Sequence, residues 1–111
     1  MVNPGPGRPA RGQVWEHVRG SRQYRILIIS NDEYNELPDA TPWAVTVERE
    51  GAGIPGYLVE LGAADPLPGT VVVLPRVLRC DPTALRRCLG SVTGDTLRAV
   101  ERGLREFLSL G

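Results

Sequence analysis

The chain reads as a mainly β (α+β) protein, a small, strongly bent antiparallel sheet with one helix packed at its C-terminal end. Three observations predict this. Short β-prone runs recur between Gly- and Pro-containing connections. The first connection is too short for a parallel crossover. Only the last stretch carries a long apolar stripe at helical spacing, through Leu97, Val100, Leu104, Phe107 and Leu108. At 111 residues and 12.1 kDa the chain favours one domain.

The elements follow in order. Met1 to Arg11 holds three Pro, two Gly and two Arg without an apolar segment. It is expected to be a flexible leader, not a signal peptide, before a domain over residues 12–111. The first strand is expected over Gln13 to Val18, then a polar connection from Arg19 to Gln23, then an antiparallel strand from Tyr24 to Ile29. Ser30 with Glu33 fits a capping box for one helical turn, which Pro38 stops. In the next strand, 43 to 48, alternation places Trp43, Val45 and Val47 on one face and Ala44, Thr46 and Glu48 on the other. Residues 51–56 are a loop, Tyr57 to Leu61 resumes a strand, and Ala63 to Gly69 turns. A strand begins at Thr70 and continues as Val77-Leu78-Arg79 beyond Pro75, whose missing donor favours a bend or an edge. Asp81-Pro82 has the form of a helix start, predicting a short helix through Cys88 that Gly90 stops. Leu89 to Val92 gives a last short strand, and Thr93, Asp95 or both cap the final helix to about Leu108.

The net charge is zero, but the charges are segregated. Residues 1–25 carry a net +4, residues 26–65 a net −7, and residues 66–111 a net +3. The basic ends can meet on one surface and attract a polyanion, or neutralise the acidic middle. All 13 basic residues are Arg, a side chain suited to bidentate phosphate contacts. Nothing approaches the roughly 20-residue apolar span of a membrane helix. Cys80 and Cys88 are expected as free thiols, and a single histidine argues against a structural zinc site.

Arg25 opens the run Ile26-Leu27-Ile28-Ile29, which ends at Ser30-Asn31-Asp32-Glu33. Its guanidinium is permanently charged and presents five donors. It can meet a phosphate, or pair with Asp32, Glu33 or Glu36. His17 can shuttle protons near neutral pH, or pack inward on the face of Trp15. Trp15 and Trp43 suit a core or a dimer contact.

Gly12-Gln13-Val14-Trp15, Tyr24-Arg25-Ile26-Leu27-Ile28-Ile29-Ser30-Asn31-Asp32 and Val71-Val72-Val73-Leu74-Pro75-Arg76-Val77-Leu78-Arg79, with Leu89-Gly90-Ser91-Val92 before the last helix, resemble successive blocks of the MazF/PemK toxins over residues 11–110. The resemblance implies a small SH3-like barrel of the MazF/PemK and CcdB toxin type. It also implies a metal-independent, cofactor-free endoribonuclease of a toxin–antitoxin pair, cytoplasmic and homodimeric, cleaving single-stranded RNA and inhibited by a cognate antitoxin. Arg25 resembles the catalytic arginine and Thr46 the catalytic threonine. Ser21, Arg22, Gln23, Arg76 and Arg79 are implied as RNA contacts, and His17 remains a candidate for proton transfer. Three positions depart from the family pattern: Arg22 takes an acidic place in a shortened first loop, Ile26 replaces a proline, and Arg76 a glutamine. These departures keep a non-catalytic binding protein open, and the architecture, which also hosts gyrase-directed toxins, keeps that second alternative open.

Overall fold

The computed structural model describes residues 8–110. Of the expected leader, residues 1–7 lie outside that range. Its last residues are tied to the sheet: Ala10 N donates to Gln13 Oε1 at 2.7 Å and Arg11 N to Asp32 Oδ1 at 2.7 Å.

Six strands form one antiparallel sheet: β1 (Gln13–Arg19), β2 (Arg22–Ile28), β3 (Trp43–Glu48), β4 (Leu58–Glu60), β5 (Val71–Arg79) and β6 (Leu85–Ser91). Their spatial order is β4-β5-β3-β2-β1-β6. A four-residue helix, α1 (Asp32–Asn35), follows β2, and α2 (Gly94–Phe107) closes the chain. Alternation along the strands makes two cores. Val14, Leu27, Val45, Val47, Val72 and Leu74 pack with Val100 of α2, while Trp15, Ile26, Ile28, Ala44, Cys80 and Leu85 fill the other face. Burying each such aliphatic side chain contributes roughly 1.5–3 kcal/mol.

The β1–β2 connection is tighter than expected. Arg19 pairs with Arg22, so only Gly20 and Ser21 turn the chain. Gly20 takes a φ of +62°, the left-handed value that suits the first position of such a loop. In β5 the predicted bend at Pro75 is present. Thr46 pairs with Val73 and Val45 with Val77, leaving Leu74, Pro75 and Arg76 without β3 partners. Pro75 has no N–H to lose there, and Leu74 N donates instead to Tyr57 O at 3.1 Å.

Several expectations are corrected. The helix expected from Asp81 to Cys88 is a single 3-10 turn at Pro82–Ala84. Asp81 does cap it, accepting from Thr83 N at 3.0 Å, but pairing with β1 draws the following residues into β6, where Trp15 faces Cys88 and Glu16 faces Arg87. Long-range pairing overrides the local helix signal. The capping box at Ser30 is absent: Asn31 caps α1 through Tyr34 N, while Ser30 Oγ accepts from Trp43 N at 2.9 Å. Trp43 does not share the core with Val45 and Val47; it lies at the strand's end, 44 % exposed, with the Arg79 guanidinium 5.8 Å from its ring centroid. Thr93 caps α2 by accepting from Thr96 N at 3.2 Å. The apolar stripe of α2 is buried at Val100, but Phe107 and Leu108 are exposed, Phe107 meeting Tyr57 edge-on at 5.8 Å. Both cysteines are free. Burial pushes the Cys80 thiol up to about 12, with Asp81 adding to it, so this thiol stays protonated.

Candidate active site

Arg25 stands on β2 between Glu16 of β1 and Val47 of β3. Its side chain is exposed and makes no hydrogen bond or ion pair among the described residues. The reason lies in its neighbours. Glu16 is taken by Arg87 Nη2 at 2.8 Å and Gln23 Nε2 at 3.1 Å. The ion pairs open to Arg25 with Asp32, Glu33 or Glu36 do not form: Asp32 accepts from Arg11 N and Asn35 Nδ2 instead.

A cleft of about 370 Å³ holds Arg25 together with Tyr24, Thr46, Glu48, Arg49 and Arg76. Register places Arg25 opposite Val47 and Thr46 opposite Ile26. Their side chains therefore leave opposite faces of the sheet, and no hydrogen bond joins them. Thr46 Oγ1 donates to Glu48 Oε2 at 2.7 Å. Arg76 holds the same carboxylate through Nη1. Burial pushes the Glu48 carboxyl up, but the Thr46 hydroxyl and the Arg76 guanidinium outweigh it and hold the group below the usual glutamate value.

A second cleft of about 580 Å³ shares Tyr24, Thr46 and Arg76 with the first and adds His17, Arg19, Arg22 and Arg79. Across the two clefts Glu48 is the sole carboxylate among six arginines. The basic residues near both ends of the chain thus converge, and the surplus charge suits a polyanion. Arg22 Nη1 donates to the Tyr24 hydroxyl at 3.2 Å, and Arg79 donates to Thr41 Oγ1 through Nε at 3.1 Å and Nη2 at 2.7 Å. Ser21 lies at the exposed hairpin tip and lines neither cleft.

His17 is 2 % exposed. Its Nε2 accepts from Asp81 N at 3.3 Å, which leaves the ring proton on Nδ1, a buried atom without a partner. Burial lowers its pKa; Asp81 opposes this and Arg19 reinforces it, so the ring is neutral at pH 7. Its proton-bearing atom is closed off, unlike Glu48, whose side chain is 28 % exposed. Sequence reasoning missed Glu48, Arg49, Tyr24 and Arg19 as cleft residues. The signal for Glu48 was strand alternation, which puts it on the face of Thr46. Among the described residues no group of three or more His, Cys, Asp or Glu is placed to hold a metal ion. No helix there is long and apolar enough to cross a membrane.

A bent six-stranded sheet with a C-terminal helix and an arginine-lined cleft defines a small β protein with an anion-facing site. The model of the PemK-like, MazF-like toxins of type II toxin–antitoxin systems matches residues 11–108, and the chain belongs to that family. It is similar to an endoribonuclease of a mycobacterial species solved in complex with its cognate antitoxin, at 30 % identity and TM-score 0.80, covering 94 % of this chain and 96 % of that one. A second mycobacterial endoribonuclease has 28 % identity and TM-score 0.77, with 92 % of each chain covered. A MazE–MazF structure from Deinococcus radiodurans shares the fold at 24 % identity and TM-score 0.75, covering 90 % of this chain and 94 % of that one. No curated protein sequence matches the chain.

Proposed function

We propose that this protein is the toxin of a toxin–antitoxin pair and cuts single-stranded RNA by attack of a ribose 2′-hydroxyl on the adjacent phosphate, without a metal. The observation that carries the reading is the free Arg25 guanidinium in a cleft whose other arginines surround a single carboxylate. Attack places extra negative charge on the non-bridging phosphoryl oxygens, and an unpaired guanidinium stabilises that charge as it develops. Arg49 and Arg76 draw the backbone into the cleft. The Thr46 hydroxyl donates its hydrogen bond to Glu48, so towards a substrate it offers only lone pairs. Departure of the 5′-oxygen leaves a 2′,3′-cyclic phosphate and a 5′-hydroxyl.

The partners that follow are single-stranded RNA, a second copy of the chain and a cognate antitoxin that masks the cleft, in the cytoplasm. Incubation of the purified protein with single-stranded RNA in EDTA tests the reading. Cleavage by wild type and its loss in Arg25→Ala are expected. RNA that is bound yet left whole would instead identify a non-catalytic binding protein, and a stable gyrase complex without RNA cleavage would identify the gyrase-directed alternative.

A further inference from the structure

The reaction proposed above must remove a proton from the attacking 2′-hydroxyl, and most of the cleft is unsuited to this. Arginine does not deprotonate, a threonine hydroxyl is only weakly acidic, and the ring proton of His17 is buried. Glu48 differs from all of them. It lies in a cleft with Arg25, it is partly open to solvent, and it is the sole carboxylate of these two clefts; Glu16, in a separate cleft beside Arg25, is held by Arg87 and Gln23. Thr46 Oγ1 donates to Oε2, and Arg76 Nη1 reaches both carboxylate oxygens. A carboxylate has about four lone-pair sites, so these partners leave acceptor capacity free.

We propose that Glu48 is the catalytic base, accepting the 2′-hydroxyl proton on a carboxylate oxygen while Thr46 and Arg76 hold it in position. The assignment rests on the ribonuclease reading. As the 2′-O–P bond forms, the 2′-O–H bond breaks and its proton passes to Glu48. The P–O5′ bond breaks and the departing oxygen takes a proton from water, and Glu48 later returns its proton to solvent. The groups facing Glu48 are Arg76 and Thr46, with Arg25, Arg49 and Tyr24 along the same cleft. The Thr46 hydroxyl and the Arg76 guanidinium favour the ionised carboxylate, so wild type keeps its base charged throughout the neutral range.

Single-turnover cleavage of one RNA oligonucleotide in EDTA, followed from about pH 6 to 9, tests the assignment. Wild type is expected to give a nearly flat profile. Glu48→Gln keeps an acceptor for Thr46 but cannot take a proton, and should lose about 10²–10³-fold at pH 7. Hydroxide from solvent must then serve as the base, so the remaining rate should climb about tenfold per pH unit. Glu48→Asp, which keeps a carboxylate, should be slower yet flat. A loss in Glu48→Gln that is the same at every pH, or smaller than about threefold, overturns the assignment and leaves the ribonuclease reading standing. A wild type that cuts no RNA overturns both.

Discussion

At Arg25 the surrounding carboxylates decide the chemistry. Glu16 across the ladder is held by Arg87 and Gln23, and Glu48 in the cleft by Arg76 and Thr46, so this guanidinium keeps its donors for a ligand. Removing one preorganised donor of this kind lowers a rate by about 10²–10³-fold, and single-turnover assays should find that loss in Arg25→Ala. Asp65 tests stability at the same scale. Buried against the start of α2, it accepts from Gly62 N at 2.7 Å, Thr93 N at 2.8 Å and Thr96 Oγ1 at 2.8 Å. Burial pushes its carboxyl up, but these donors outweigh it and the folded pKa lies below the ordinary 3.8. Because the folded value is the lower one, the stabilisation is present above the unfolded pKa and is lost as pH falls through the folded one. Asp65→Ala should cost about 3 kcal/mol near neutral pH. Its urea midpoint should also change less between pH 5 and 3 than that of wild type. Equal acid sensitivity in both proteins would remove Asp65 from the account.

At the scale of elements, most local signals were legible and long-range pairing was not; the Ser30 capping box fails because Trp43 N takes the Ser30 hydroxyl. The Pro75 bend, the Thr93 cap and the opposed faces of Val45 and Thr46 are properties of neighbouring residues, and the sequence carries them directly. Asp81-Pro82 is an equally good local signal, and it does start a turn. Residues from Leu85 onwards nevertheless join β1, a contact across more than sixty positions that no local pattern encodes. The same limit hid the partners of Glu48 and Glu16. Arg25 and Thr46 could be named, whereas the occupation of the nearby carboxylates depends on the fold. Gly103 gives a test of α2 docking. An added methyl there would overlap Leu74 Cδ1, in the core. Alanine favours a helix over glycine by about 1 kcal/mol, while overpacking costs typically 1–3 kcal/mol. Gly103→Ala should therefore lower stability by about 1 kcal/mol, measured by thermal or urea unfolding, and a gain would mean α2 sits more loosely on the sheet.

Across the whole molecule, a chain with no net charge presents a strongly cationic cleft because its acids are used elsewhere. Arg11 is paired with Glu101, Arg87 with Glu16 and Arg98 with Asp95. Among the described residues Arg25 carries no such partner, and six arginines line two adjoining clefts that share one carboxylate. Binding of a non-cleavable 2′-O-methyl oligonucleotide should weaken with salt, each phosphate contact contributing a slope of about −0.7 in log K against log salt. Arg25→Ala should flatten that slope by about one such increment, and an unchanged slope would mean Arg25 touches no phosphate. The central claim concerns bond making at phosphorus, and the ends of the products report it most directly. Wild type in EDTA should leave 2′,3′-cyclic phosphate on every new upstream fragment and a 5′-hydroxyl on every downstream one, with Arg25→Ala yielding almost none. Fragments bearing 5′-phosphates, or intact RNA with wild-type protein, would contradict the account.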